Sequence, residues 1–364
     1  MKRILTRKLV PGMVLANDVH TYNSSLKLLD KGTVLEDKDI ARLAFYSIID
    51  VLIEDEVVDV EVEGGTSAPI DEGLTYSERI RQSPEFQEFK KSFEQCAEKF
   101  EHTIKNIIDN NRDLVFDDMM MPIYSLLQKG RSSANIFDML HNLRTYDDAT
   151  YTHSINVALI SNVLAQWLKW SESEIDIATQ AGLFHDIGKL LIPDTIIKKP
   201  DKLTEHEYTV VQTHPQRGYE IIKTLNVSQH IKNATLMHHE RCDGSGYPLK
   251  LHGPQIDKYA KLVAIADVYD AMTSARYYRG PLCPFIAISM FEDEGFQKYD
   301  PEMIIAFLQN LVNTYILYTV RLSTGEVGEI VFINKMQLSR PTVKVGDDYI
   351  DLTKHPDVYI KEIL

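Results

Sequence analysis

The chain has 364 residues, 44% hydrophobic and 25% charged, which describes ordinary globular protein in two or three units rather than a single core or a disordered chain. Its formal net charge of -14 argues against general nucleic-acid binding, so an anionic ligand would have to be drawn by a local positive site. Three cysteines, Cys96, Cys242 and Cys283, show no CxxC spacing and cannot all pair, so a reduced, cytoplasmic setting is expected.

The basic start is broken by Arg7, Lys8, Pro11 and Gly12 and makes a poor signal peptide. No apolar run approaches the roughly 18–20 residues that cross a bilayer, and no membrane association is expected. Residues 1–63 form a small strand-rich α+β unit on this reading. Short apolar runs at 9–10, 13–16 and 26–29 alternate with turn signals, a helix is expected over 37–45 and a strand near 49–53. The stretch 64–69, Gly-Gly-Thr-Ser-Ala-Pro, is a linker. From Pro84 the period turns helical: Phe86, Phe89, Phe93, Ala97, Phe100, Ile104 and Ile107 share one stripe. That stripe offers either a seam to a second copy or a face packed on its own domain. The linker and this helix occupy 64–115, a helical unit follows over 116–315, and 316–364 form a β module. Two hairpins are expected there, 319–322 with 327–333 and 342–345 with 349–352.

The histidines gain meaning from their helical positions. His153 shares the inward face of Val157, Ile160 and Leu164. A capping box at 171–174 opens a helix running through Ile175, Ala178 and Ala181 into His185-Asp186. A carboxylate beside an imidazole in an apolar stretch is costly to bury unless a cation joins them. Lys189 follows three residues on. His214 precedes Pro215 at a helix start. His238 and His239 close another apolar helix and enter a glycine-rich loop, 242–248; adjacent helical residues point about 100° apart, so both serve one ion only near a frayed end. Asp267 and Asp270 lie one turn apart among Val263, Ile265 and Val268, and Arg276 and Arg279 follow. Each has a bland explanation; together they favour a metal site with a phosphate-gripping pair of arginines.

The run H-(31)-HDIGK-(24)-HP-(22)-HHERCDGSGYP-(18)-DVYD resembles the HD-GYP domain, the branch of the HD phosphohydrolases that degrades cyclic di-GMP. The likeness covers roughly residues 130–315, and residues 1–60 more weakly resemble the small domain that often precedes it. The resemblance implies an all-α HD-type bundle with two divalent ions inside. One ion would be held by His153, His185, Asp186 and Asp267, the other by Asp186, His214, His238 and His239, with Asp186 bridging. A third ion would need a glutamate where Ala149 stands. Iron is the metal implied, with manganese next. A metal-bridged hydroxide would attack phosphorus while Lys189 offsets charge on the phosphoryl oxygens. Asp270 would orient the nucleophile, Arg276 and Arg279 would grip phosphates, and Tyr247 would line the pocket.

The expected reaction is therefore hydrolysis of cyclic di-GMP to pGpG, with cleavage on to GMP left open. The rivals are an HD phosphohydrolase for another nucleotide, such as cGAMP, and a non-catalytic receptor for the cyclic dinucleotide. A homodimer through the aromatic stripe, and a regulatory protein at the terminal modules, are further expectations.

Overall fold

A computed structural model describes residues 76–108, 116–130, 133–143, 150–197, 204–274 and 282–364, with shorter stretches among the first 54 residues, chiefly 12–20, 27–35 and 50–54. Near the start, β1 (Lys2–Leu5) pairs antiparallel with β4 (Asp50–Ile53), and β2 (Val19–His20) with β3 (Lys27–Leu29). These strands gather a separate small core of Leu9, Leu15, Leu29, Leu35, Leu43, Val51 and Ile53. The strand expected near 49–53 is β4. The helix expected over 37–45 and the linker lie largely outside the described residues.

Helices follow as α1 (Tyr76–Gln82), α2 (Pro84–Ile108), α3 (Phe116–Lys129) and α4 (Ser133–Leu143). Phe86, Phe89, Phe93, Phe100 and Ile104 of α2 are all buried within the chain, because α2 packs on α3, α4 and α5. The aromatic stripe is thus occupied by its own protein, so it is not available as a seam to a second copy. Ile107 gives no side-chain description.

The centre is α5 (Thr150–Trp167), α6 (Glu172–Phe184) and α11 (Lys258–Thr273), which contact one another. Every residue from 155 to 165 is buried, as are eleven of the residues of α11 from Tyr259 to Thr273. A helix apolar on nearly all sides belongs inside a bundle, so any polar group on it needs a partner there. Ser171 caps α6, its backbone N–H donating to Glu174 Oε2 at 2.9 Å.

Between α6 and α11 come a 3-10 turn (Ile187–Leu191), short helices α7 (Asp194–Ile197) and α8 (Glu205–Val211), then α9 (His214–Ile222) and α10 (Gln229–Met237). Beyond α11, α12 (Pro284–Met290) runs through a π turn (Phe291–Gly295) before α13 (Pro301–Thr314).

The tail forms one antiparallel sheet of five strands in the order β8-β7-β6-β5-β9: β5 (Thr319–Leu322), β6 (Val327–Phe332), β7 (Thr342–Val345), β8 (Asp348–Asp351) and β9 (Ile360–Ile363). Both expected hairpins are present; β9 was missed because residues 360–363 show no clean alternation. Val320, Leu322, Ile330, Val343 and Ile360 join the core of the helical unit. Glu292 of the π turn accepts from the Leu338 and Ser339 backbone N–H groups at 2.5 and 3.2 Å. The sheet is therefore a wall of the helical unit. No described helix is long and apolar enough to cross a membrane.

Candidate metal centre

Five elements deliver the clustered side chains to one buried point. His153 comes from the first turns of α5, His185 and Asp186 from the end of α6, His214 from the first residue of α9, His238 and His239 from the end of α10, and Asp267 from the middle of α11. His185, Asp186, His214 and His238 are fully buried.

The imidazoles are fixed by their outer nitrogens. Nδ1–H of His185 donates to Gly182 O at 2.7 Å, that of His214 to Val211 O at 2.7 Å and that of His238 to Thr235 O at 3.0 Å. A carbonyl can only accept, so the proton sits on Nδ1 and the Nε2 lone pair faces inward. His214 Nε2 and His238 Nε2 consequently face each other at 3.2 Å, two lone pairs with no proton between them.

Asp186 stands among these nitrogens and divides them. Its Oδ1 lies 3.2 Å from His214 Nε2 and 3.6 Å from His238 Nε2. Its Oδ2 lies 3.4 Å from His185 Nε2 and 3.5 Å from His153 Nε2. Two groups of converging donor atoms result, Asp186 with His214, His238 and His239, and Asp186 with His153 and His185. Asp267 Oδ1 adjoins the second group at 3.0 Å from His153 Nε2 and 3.8 Å from His185 Nε2. His239 Nδ1 lies 3.9 Å from the other oxygen of Asp267.

The fit to a cation follows from what is unsatisfied. His185 Nε2 and both Asp186 oxygens are buried without a well-directed hydrogen bond from the described residues. Lys189 Nζ is 2.5 Å from Asp186 Oδ2, an ion pair lacking hydrogen-bond geometry. An uncompensated buried carboxylate is strongly unfavourable, and each orphaned polar atom costs about 1–3 kcal/mol. A cation with bonds of about 2.1 Å sets neighbouring donors about 3.0–3.5 Å apart, close to the separations found. Imidazole and carboxylate donors suit a divalent first-row metal.

Electrostatics point the same way. Burial works to raise the Asp186 carboxyl, yet the Lys189 ammonium beside it holds it well below the usual range. Burial opposes ionisation of Asp267 too, but its hydrogen bond to His153 keeps it low. Desolvation with the neighbouring imidazoles lowers His238 to about 4. His153 is the exception: burial pulls it down, but hydrogen bonds to Asp267 and Asp270 raise it to about 9. Without a cation its Nε2 is thus protonated at neutral pH, and a metal must displace that proton. Metal loading at pH 7.5 is expected to release about one proton per chain, with apparent affinity rising about tenfold per pH unit up to about pH 9. Calorimetry in two buffers of different ionisation enthalpy checks this. No net proton release would mean that His153 is already neutral before loading or is not a ligand.

Asp270 takes a place the sequence did not foresee. Its Oδ2 accepts from His153 Nδ1 at 2.8 Å, while Oδ1 accepts from Asn156 Nδ2 at 3.1 Å and Ser274 Oγ at 3.0 Å. It therefore holds the His153 imidazole by its outer nitrogen, as backbone carbonyls do for His185, His214 and His238. Asn156, one turn after His153, is a supporting residue that sequence reading missed; the signal was a polar side chain on an apolar stripe.

At the mouth, Tyr247 stacks on His239, ring centroids 4.7 Å apart and 27° between planes. Arg276 and Arg279 lie outside the described residues, as does Ala149. Phe100 and Ile104 of α2, with Tyr151 and Ser154 of α5, border a small cavity that reaches Asp186.

Residues 134–303 match the family model for the HD domain, a span that includes His185 and Asp186. This segment is an HD domain. The chain is 38% identical over 208 residues to a cyclic di-GMP phosphodiesterase of Pseudomonas aeruginosa, covering 57% of the chain and 50% of that protein. It is 37% identical over 168 residues to a cyclic di-GMP phosphodiesterase response regulator of Xanthomonas campestris, covering 45% and 44%. Against a 3'3'-cGAMP-specific phosphodiesterase of Vibrio cholerae it is 32% identical over 191 residues, covering 52% and 36%. The chain thus spans half or less of the length of these relatives. HD domain and clustered ligands together are those of a divalent-metal site.

Proposed function

We propose that this chain is a metal-dependent phosphodiesterase that hydrolyses cyclic di-GMP to linear pGpG. The observation that carries the proposal is Asp186, a buried carboxylate whose two oxygens face two separate sets of histidine nitrogens. One carboxylate shared in this way suits a pair of adjacent divalent ions. His153, His185 and Asp267 would complete one set, and His214, His238 and His239 the other. Iron fits best with the HD-GYP resemblance, and manganese is compatible with the same donors. When bound, such a pair supplies Lewis acidity and acidified water for attack on phosphorus.

The chain's own residues do the rest. Lys189, partly exposed beside Asp186, offsets charge gathering on the phosphoryl oxygens. Asp270 keeps His153 in register rather than contacting the reacting atoms. The Tyr247 ring, fixed over His239, lines the pocket, and the arginine pair at 276 and 279 is assigned to the ligand phosphates. The relatives named for cyclic di-GMP, at 38% and 37% identity, support this substrate. The relative named for 3'3'-cGAMP motivates the second reading, in which the same centre cleaves the mixed dinucleotide.

The test is anaerobic purification, metal analysis and incubation with cyclic di-GMP and 3'3'-cGAMP in parallel, beside an Asp186→Ala control. Two metal ions per chain, with pGpG appearing only with intact protein, is the expected result. Preferential loss of cGAMP selects the second reading. Tight binding without turnover after adding Fe(II) or Mn(II) overturns the enzyme and leaves a receptor.

A further inference from the structure

One buried acid near the centre is unused by the proposed chemistry. Glu240 directly follows the histidine pair and is only 3% exposed. Its Oε1 accepts from the Leu249 backbone N–H at 2.6 Å and its Oε2 from that of Leu251 at 2.9 Å. The intervening Lys250 adopts φ +55°, a left-handed conformation uncommon outside glycine. Alternate N–H groups around such a residue converge on an anion as a backbone nest. The anion here is the protein's own side chain.

The bond ties the far end of the 240–251 loop to its beginning, and Tyr247 lies between. The other fixings of that tyrosine also converge on the same short segment. Tyr247 N–H donates to His239 O at 3.2 Å, and its ring stacks on the His239 imidazole. Gly246 presses on the backbone of Glu240 so closely that a Cβ there would meet Glu240 Cα at 2.4 Å. Arg241 donates to the carbonyls of His238 and Glu240 at 3.2 and 2.9 Å, which leaves the Glu240 carboxylate committed to the loop alone.

We infer that Glu240 is a positioning residue: its carboxylate clamps residues 249–251 so that Tyr247 is held over His239 in the form that receives substrate. The inference rests on the phosphodiester reading for its kinetic consequence, though not for the clamp itself. Charge-assisted bonds to backbone N–H are among the stronger ones. An isosteric amide can accept at only one position, so Glu240→Gln opens the clamp without removing bulk.

Hydrogen exchange, metal content and kinetics on metal-loaded full chain test this. In Glu240→Gln, the Leu249 and Leu251 amides are expected to exchange at least about tenfold faster with metal content unchanged. KM for cyclic di-GMP should rise about tenfold while kcat stays within about threefold. In a Tyr247→Ala background, adding Glu240→Gln should raise KM no further, because its effect passes through Tyr247. Unchanged exchange, loss of metal, or an additive effect in the double variant would overturn the inference. If the wild type turns over no cyclic di-GMP, the substrate reading fails, and the exchange and metal measurements still judge the clamp.

Discussion

Asp186→Ala is expected to lose most of its bound metal and to lower phosphodiesterase activity by at least about 10³-fold, well beyond the 10–100-fold typical of groups that only support a ligand. Both sets of nitrogens face oxygens of this one side chain, at 3.2 to 3.6 Å, so the substitution subtracts a donor from each. Elemental analysis and product chromatography measure the two losses. The stability change in chelator makes the test sharper. There the wild type retains a buried carboxylate without a directed hydrogen bond beside His185 Nε2, which also lacks one, while Lys189 at 2.5 Å favours its ionised form. Removing the carboxylate removes its desolvation cost and this attraction together, and the two oppose each other. Chelated Asp186→Ala should therefore melt close to chelated wild type, whereas metal-loaded wild type should melt above both. A variant that keeps both metals, or that is severely destabilised in chelator, would show that Asp186 is a structural acid.

The gathering of these side chains at one point was legible because metal chemistry restricts residue type and the helical period restricts facing. His153 shares the inner face of Val157 and Ile160, and Asp267 sits among Val263 and Ile265, so each announced itself as a polar group where an apolar one was due. Less legible was how these groups divide between functions. Asp270 looks from sequence like Asp267 moved by one turn, yet it meets the outer nitrogen of His153 rather than the inner one. Only the side-chain direction separates the roles. Glu240 was invisible for a different reason: its partners are backbone N–H groups of Leu249 and Leu251, which carry no residue-type signal. The same holds for the fate of the aromatic stripe on α2. Amphipathicity shows that a face must be covered and is silent on what covers it; Phe100 finds Tyr151 and Phe184 of its own chain.

Gly188→Ala is expected to be as damaging as loss of a ligand, although residue 188 carries no side chain to ligate anything. A Cβ at this position would lie 1.9 Å from His214 O and 2.5 Å from Gly218 N. Both are backbone atoms of α9, so no rotamer change relieves the clash and the helix itself has to move. The element that would be displaced carries His214, whose Nε2 stands 3.2 Å from Asp186 Oδ1, and the 3-10 turn that would recoil begins one residue after Asp186. The glycine of His-Asp-Ile-Gly-Lys is thus what allows the two halves of the metal cluster to approach. Overpacking of this kind costs about 1–3 kcal/mol or more. We expect at least about 3 kcal/mol in chemical denaturation with chelator present, and metal content well below wild type at equal free metal. Gly253→Ala is the control, since its Cβ would meet nothing nearer than Cys242 Cβ at 3.5 Å, and its effect should stay within about 0.5 kcal/mol. If Gly188→Ala instead behaves like this control in both measurements, the approach of α9 to the turn is looser than the structure has it, and the spacing between His214 and Asp186 must be set by other contacts.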